Sequence, residues 1–384
     1  MNVLLVANYA PDRQHSMLRF SEMLERGLAE RGMNVRVVHP PAVFSGWVGA
    51  RSRLHKWLGY ADKFLVFPRA LRREAGWADV VHICDHSNAV YVDEVGAKPS
   101  VVTCHDLLAV RSARGDFPEN ATAFTGRIYQ RWILRGLQRS PNIVCVSEAT
   151  RADVLRFVGS DPARVRVVPN GLNYPYSRMS RGDAERALAE RGVGSGELLL
   201  HVGGNQWYKN RLGVLRIFAE LAKIPPTAGL RLVLAGHPQT AEMRAYAREA
   251  GIADRVVELV DPDNETLRAL YSTAAGLLFP SLHEGFGWPI VEAHACGCPV
   301  FATARAPLTE VGGDCAIYVD PGDPRAAAAR IARALAAGEG RGAAAVANAA
   351  RFTTRKMVDG YVALYAALSA AGEARDAAAE EVNA

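Results

Sequence analysis

The chain has no run approaching the ~20 consecutive apolar residues that a transmembrane helix needs, so it is not expected to span a bilayer. It has no basic start followed by a long apolar segment. The opening run from Met1 to Asn8 therefore reads as a first strand and not as a signal peptide. Cysteine is scarce, with six in 384 residues, and none of them forms a Cys-x-x-Cys or a zinc-like spacing. Cys84, Cys104 and Cys145 lie in or beside apolar runs, which points to buried thiols in a reducing cytoplasm and not to disulfides. No Gly-x-Gly-x-x-Gly follows the first strand, and this disfavours a nicotinamide dehydrogenase. There is no short-period repeat. Nothing in the charge pattern asks for a nucleic-acid partner.

What is present suits two α/β domains. Short apolar runs alternate with longer amphipathic segments, as successive βα units require. In the first half the expected strands are 3–7, 35–38, 80–83, 101–104, 143–146 and 165–168. In the second half they are 198–202, 231–235, 256–259, 276–279, 299–302 and 316–319. Each set predicts a parallel, doubly wound sheet, so the fold class is two tandem Rossmann-like domains. Turn residues cluster from Pro169 to Tyr176 and mark the boundary: 1–172 as a first domain and 173–352 as a second. A helix is expected over 181–191, and a loop over 192–196. Residues 1–175 carry 23 basic against 16 acidic side chains, a net of +7, which leaves −2 for the rest. The first half therefore favours an anionic partner.

The most informative stretch is 280–292, Pro-Ser-Leu-His-Glu-Gly-Phe-Gly-Trp-Pro-Ile-Val-Glu. It follows a buried strand and leads into a short helix with Pro289 expected at the first helical position. Gly285 and Gly287 let backbone approach a ligand, and the helix start supplies N–H groups and a positive dipole end. Two carboxylates flank this anion site: Glu284 in the loop and Glu292 in the expected first turn. A carboxylate beside an anion pocket suits a ligand that also carries sugar hydroxyls.

The run Pro-Ser-x-x-Glu-Gly-Phe-Gly-x-Pro-x-x-Glu-Ala resembles the Glu-x7-Glu signature of retaining, nucleotide-sugar-dependent glycosyltransferases of family 4, which have the GT-B fold. The resemblance extends to the Cys-Gly-Cys-Pro-Val that follows and to Asp320-Pro321. It implies a hexosyltransferase that uses a GDP- or UDP-sugar and an acceptor-binding first domain. A last helix, 353–370, would cross back to that domain. By the resemblance, Gly285, Phe286 and Gly287 would contact the donor, Glu292 the ribose hydroxyls and Glu284 the hexose. Lys209 follows the Gly203-Gly204-Asn205 loop and would neutralise the diphosphate; the alternative is a solvated lysine in a tight turn. Relatives carry an arginine five or six residues before this lysine. Here those positions are Gly203 and Gly204, so Asn205 or Arg211 must serve. Thr103-x-His105-Asp106 matches the family's Thr-x-His-Asp pattern, which implies that His105 meets the sugar from the opposite domain once the cleft closes. His86 is a pocket candidate only.

The resemblance implies retention without a covalent intermediate. It also implies no metal, since no Asp-x-Asp stands in a plausible donor loop and the lysine pocket takes the cation's place. The acceptor would be a glycan or a lipid-linked glycan, with surface polysaccharide assembly the commonest setting. An epimerase of the same fold, or a non-catalytic scaffold that keeps the donor pocket, would read similarly.

Three further stretches bear on the acceptor. The first loop lacks the Gly-Gly pair of many relatives. Arg13, Gln14, His15 and Ser16 either face the cleft or form a capping loop, with Ser16 as N-cap of a helix over 17–30. Residues 117–120 read as an exposed loop over the cleft, an acceptor lid. In 44–74, aromatics interleave with Arg51, Arg53, Lys56, Lys63, Arg69, Arg72 and Arg73. This segment either lies on the anionic inner face of a membrane or is an ordinary helix pair with Trp47 and Trp57 packed inward. The Ala- and Glu-rich end, 371–384, is expected to fray.

Overall fold

A computed structural model of the chain describes residues 1–12, 14–48, 53–193 and 196–383. Arg13, Arg51 and part of the 192–196 loop lie outside the described residues, as do the side chains of His15 and Arg53. The backbone groups into two units, Met1–Asn173 with Thr354–Ala384, and Tyr174–Thr353.

The first unit holds six parallel strands: β1 (Asn2–Val6), β2 (Asn34–Val38), β3 (Val80–Ile83), β4 (Ser100–Cys104), β5 (Ile143–Cys145) and β6 (Val165–Val167). Their order is β2-β1-β3-β4-β5-β6. The second unit repeats the plan with β7 (Leu198–Gly203), β8 (Arg231–Gly236), β9 (Val256–Val260), β10 (Gly276–Phe279), β11 (Val300–Thr303) and β12 (Ile317–Val319). Its order is β12-β11-β10-β7-β8-β9. All twelve expected strands form, each end within one residue of its expected place. Parallel strands covered by helices on both faces read as unbroken apolar runs, and Val3 to Val6 and Leu277 to Phe279 are fully buried.

Each order reverses direction once, between β1 and β3 in the first unit and between β7 and β10 in the second. Chain leaving neighbouring strands on opposite sides of a reversal opens a crevice at their carboxyl ends, where ligands of such sheets bind. The loops after β7 and β10 are the glycine loop ending at Lys209 and the run 280–287. All six cysteines are free thiols, five of them buried.

The last helix is Thr354–Asn383, longer than expected and continuous through the segment expected to fray. Polar groups inside the first sheet hold its start. His82, in the middle of β3, is fully buried. Its Nδ1 lies 2.5 Å from the Tyr365 hydroxyl and its Nε2 2.7 Å from Thr103 Oγ1. Thr103 Oγ1 in turn lies 2.8 Å from the Tyr361 hydroxyl. Each polar group has a partner, which is what allows burial. Burial, with the nearby His105 adding to it, pushes the His82 imidazole down to about 3, so the ring is neutral.

His82→Leu should cost about 2–4 kcal/mol, because it orphans buried hydroxyls on both sides. The pH dependence has a definite sign. The folded pKa lies below the unfolded value, so the unfolded chain binds the extra proton, and stability falls as pH drops from about 6.5 towards about 3. In His82→Gln, thermal unfolding followed across that window should lose slope of up to about 1.4 kcal/mol per pH unit. An unchanged slope would contradict the buried neutral ring.

Candidate active site

The two loops at the second unit's reversal are stitched together by backbone and side chain. Leu282 N–H donates to Tyr208 O at 2.7 Å, and Asn210 Nδ2 donates to Pro280 O at 3.0 Å. Asn210 holds a left-handed conformation, φ 52°, between the turn Trp207–Lys209 and the helix Arg211–Leu221. Asparagine tolerates that region better than most residues. The result brings Lys209 Nζ to 2.7 and 2.9 Å from the two oxygens of Glu284. Both side chains are largely buried. The two residues expected to grip diphosphate and hexose thus meet, and they grip each other. The pair uses two of the three ammonium N–H groups, and each carboxylate oxygen has further lone pairs for hydroxyls.

Gly287 has φ 97° and serves as N-cap of the helix Trp288–Ala295. Pro289 is the second helical residue, not the first, because Trp288 already begins the helix. That shift puts Glu292 in the second turn. It is buried there, and it accepts a hydrogen bond from the Tyr271 hydroxyl at 2.8 Å. Burial, then Glu292, drives the Tyr271 pKa well up, so the phenol stays a donor. Phe286 is buried with its ring edge-on to Phe352, centroids 5.5 Å apart. It anchors the loop through its side chain, and any ligand contact must come from its backbone.

Beneath the glycine loop lies a group that sequence reasoning passed over. His201 is fully buried in β7, and its Nδ1 lies 2.9 Å from Leu278 O. Among the described residues its Nε2 has no partner, and a Cβ on Gly203 would sit 3.2 Å from it and 3.6 Å from Lys209 Cδ. Burial holds this ring neutral, with a pKa of about 3. The signal was available: a lone polar residue in an apolar strand, two places before the glycines. Asn205 and Arg211, the two alternatives for the missing arginine, bond to each other. Arg211 Nη1 also donates to His237 O at 2.7 Å, and Asn205 Nδ2 donates to Pro238 O at 2.9 Å. Arg211 Nε and Nη2 are buried and without partners among the described residues, and burial lowers its pKa.

In the first unit the reversal gathers a second polar set. Asp85, after β3, is buried and accepts from Asn8 Nδ2 at 2.5 Å and from Ser87 Oγ at 2.7 Å. His86 Nδ1 lies 2.9 Å from Asp85 Oδ1. Burial opposes both charges, but the pair prevails: Asp85 is held well below the usual carboxylate range and the His86 pKa is raised. His105, after β4, is buried with Nε2 2.9 Å from Cys84 O and with Phe20 edge-on at 4.8 Å. Burial lowers its pKa despite Asp85. If Nε2 carries the proton, Nδ1 is left as an acceptor. Gln14 accepts from Asn8 Nδ2.

Several candidates have other work. The helix His15–Ala29 has Gln14 as N-cap with no side-chain cap, so Ser16 sits inside it and caps nothing. Asp106 Oδ1 accepts Leu108 N–H at 2.9 Å, at the start of the helix Leu108–Arg114. In 117–120, Phe117 is buried under the Arg111 guanidinium, 4.7 Å from its ring centroid, while Pro118 and Glu119 are exposed as expected. Trp47 and Trp57 are 77% and 62% exposed, so neither packs inward. Lys63, Arg72 and Arg73, among the basic residues of 44–74, pair with Asp12, Glu94 and Glu74. Among the described residues no cluster of three or more His, Cys, Asp or Glu could hold a metal.

Comparison with known proteins bears on this geometry. Residues 196–337 match the family described as glycosyl transferases group 1, and residues 19–174 match glycosyltransferase family 4. The chain is 31% identical over 335 residues to D-inositol 3-phosphate glycosyltransferase of Acidothermus cellulolyticus, covering 81% of this chain and 71% of the relative. Against the enzyme of the same name from Segniliparus rotundus it is 31% identical, covering 72% of this chain and 62% of that protein. Among solved structures, Anabaena HepE in complex with UDP and glucose superposes with a TM-score of 0.73 at 17% identity, covering 96% of this chain and 100% of that one. Sucrose-phosphate synthase from Thermosynechococcus elongatus gives 0.73 at 21%, covering 97% and 100%.

The Lys209–Glu284 geometry makes a prediction about the ligand-free protein. Lys209→Ala leaves a largely buried carboxylate without its cation, and should destabilise by about 3 kcal/mol. The double variant Lys209→Met/Glu284→Leu should lie closer to wild type. Chemical denaturation of the three proteins checks this; a double variant as unstable as the single one would mean that the pair is not formed.

Proposed function

Because the chain belongs to the group 1, family 4 glycosyltransferases, whose GT-B architecture its two sheets share, we propose that it moves a hexose from a UDP- or GDP-sugar to an acceptor hydroxyl with retention at the anomeric carbon. The observation that carries the reading is the Lys209–Glu284 pair at the crevice between β7 and β10. A nucleoside diphosphate sugar presents an anion and hydroxyls within one molecule, and this pair offers a cation and an acceptor side by side. HepE, of the same fold, was crystallised with UDP and glucose, which supports a nucleotide donor.

In this reading the anomeric C–O bond to diphosphate breaks, and charge gathers on the leaving oxygens. Lys209 and the amides at 285–287 stabilise that charge more in the transition state than in the ground state. Glu284 holds hexose hydroxyls and favours positive charge at the anomeric carbon. Glu292, fixed by Tyr271, takes the ribose hydroxyls. The acceptor oxygen forms its bond on the face the phosphate leaves, and its proton passes to a phosphate oxygen, so no enzyme carboxylate becomes a nucleophile. By the resemblance of its Thr-x-His-Asp motif, His105 takes a sugar-contacting role. No metal is needed in this scheme, because Lys209 supplies the positive charge.

The proposed acceptor is a glycan or lipid-linked glycan, met at the inner face of a membrane during surface polysaccharide assembly. Support comes from the exposed Trp47, Leu54, Trp57 and Leu65, with Lys56 and Arg69 among them. No described helix is long and apolar enough to cross a membrane. The curated relatives are named for inositol 3-phosphate, so this compound belongs in the acceptor panel, and turnover with it in preference to lipid-linked acceptors would displace the polysaccharide reading.

Lys209→Ala and Glu284→Ala should each cut transfer by at least ~100-fold, with wild-type activity unchanged in excess chelator. The assay is product formation from a panel of UDP- and GDP-sugars, with NMR reading the anomeric configuration. Near-wild-type turnover in both variants would sink the assignment, and loss of activity in chelator would sink the metal-free scheme.

A further inference from the structure

The helix Phe124–Arg139 carries four arginines and no acid. Arg127, Arg131 and Arg135 recur at every fourth residue, so they form one stripe along it. Phe124, Ile128 and Trp132 recur at the same spacing and form a second stripe beside the first. All three are exposed, Phe124 to 75%. Opposite them, Ile133, Gly136 and Leu137 are buried. Gly136 allows close approach: a Cβ there would meet Ala89 O at 2.2 Å. The helix is therefore seated by its third face, and it leaves both stripes turned outward.

Between this helix and Leu108–Arg114 lies a cavity of about 390 Å³, lined by Val110, Ala113, Leu134, Gln130 and the arginines Arg114, Arg127 and Arg131. Among the described residues no carboxylate lines it. Arg114 rests on the Phe157 ring at 5.3 Å, and Arg127 Nε donates to Thr122 O at 3.0 Å. Among the described residues none of the three guanidinium groups is in an ion pair. Gln130 Oε1 is buried without a partner. Turning that amide over presents N–H at the same place. Three guanidinium groups outside any described ion pair and an idle amide oxygen over an apolar floor make a receptor for a phosphate, since guanidinium binds phosphate oxygens in pairs.

We propose that this cavity binds the phosphate of an anionic phospholipid headgroup and that the flanking Phe124, Ile128 and Trp132 enter the interface beside it. A free anion would satisfy the arginines and leave the apolar stripe in water; an amphiphile satisfies both. The aromatic side continues across the unit. Trp132 packs on Phe64 at 4.7 Å, Phe64 on Tyr60 at 5.9 Å and Tyr60 on the exposed Trp57 at 5.9 Å. One ring contact after another thus joins this helix to the 44–74 segment. The inference rests on the membrane part of the reading above and adds to it a defined headgroup site, one that 44–74 does not contain.

The test is co-sedimentation of the full chain with vesicles of phosphatidylcholine alone and of phosphatidylcholine with phosphatidylglycerol. Folding of every variant is checked by circular dichroism. Wild type should pellet with the anionic vesicles only. Each arginine near a charged surface contributes a factor of about five, so R127Q/R131Q should bind about 25-fold more weakly. Two variants keep the net charge. A113M fills the cavity, and R127K/R131K removes the planar forks. Both should weaken binding by about fivefold or more if the site is built for phosphate. If both bind like wild type, the attraction is diffuse and the headgroup site is overturned, while the membrane reading stands. If wild type ignores anionic vesicles yet transfers sugar to a soluble acceptor, both membrane statements fall and the sugar-transfer reading stands.

Discussion

The ion pair between Lys209 and Glu284 is the interaction on which the second unit's site depends. Its partners come from opposite sides of the sheet's reversal, so it forms only if β7 and β10 are neighbours and their loops are correctly closed. The backbone bond from Leu282 to Tyr208 and the side-chain bond from Asn210 to Pro280 fix that closure independently of charge. A largely buried pair is costly to desolvate, and gains little stability over an apolar pair of the same shape. What it does provide is placement. The ammonium and the carboxylate are held side by side at the crevice, each fixing the other's position.

A similar logic runs through the buried imidazoles. His82 and His201 each occupy a central strand, and burial keeps each ring neutral. Both nitrogens of His82 are engaged, and the ring joins two strands to the hydroxyls of the last helix. Only one nitrogen of His201 is engaged, and the other faces the glycine loop beside Lys209. A neutral acceptor next to a lysine does not compete for its positive charge, whereas a second carboxylate there would. The contrast separates a histidine that builds the fold from one that shapes the site, and the distinguishing feature is the idle nitrogen.

The strands were legible because both sheets are parallel and covered, which makes each a short apolar run between turn residues. The pairing of Lys209 with Glu284 was half legible. Motif resemblance marked both residues as donor contacts, but only the closed loops reveal that they meet. Side-chain roles in loops were the least legible. Asp106 stands beside His105 in the matched motif, yet one of its carboxylate oxygens is engaged by the first N–H of the helix that follows. Phe286 lies inside the strongest motif, and still its ring serves the core. Glu292 moved from first turn to second because a tryptophan, not the proline, begins the helix. The tryptophans at 47 and 57 could not be placed from periodicity, since an aromatic on a short helix can cover core or face water with the same spacing.

The charge around the glycine loop bears on the arginine that relatives carry and this chain lacks. Arg211 is buried, and it meets carbonyl oxygens and Asn205 but no carboxylate within bonding distance. Two of its nitrogens are idle. An uncompensated buried cation is unfavourable alone, and burial accordingly lowers its pKa, with Glu258 acting the other way from a distance. Its field and that of Lys209 both reach His201 and depress its pKa further. Two cations therefore flank the loop, and among the described residues Glu284 is the acid bonded to either. In the proposed reading this positive charge is what a diphosphate would neutralise, and Arg211 at the loop's base would act there through its field and not through direct hydrogen bonds.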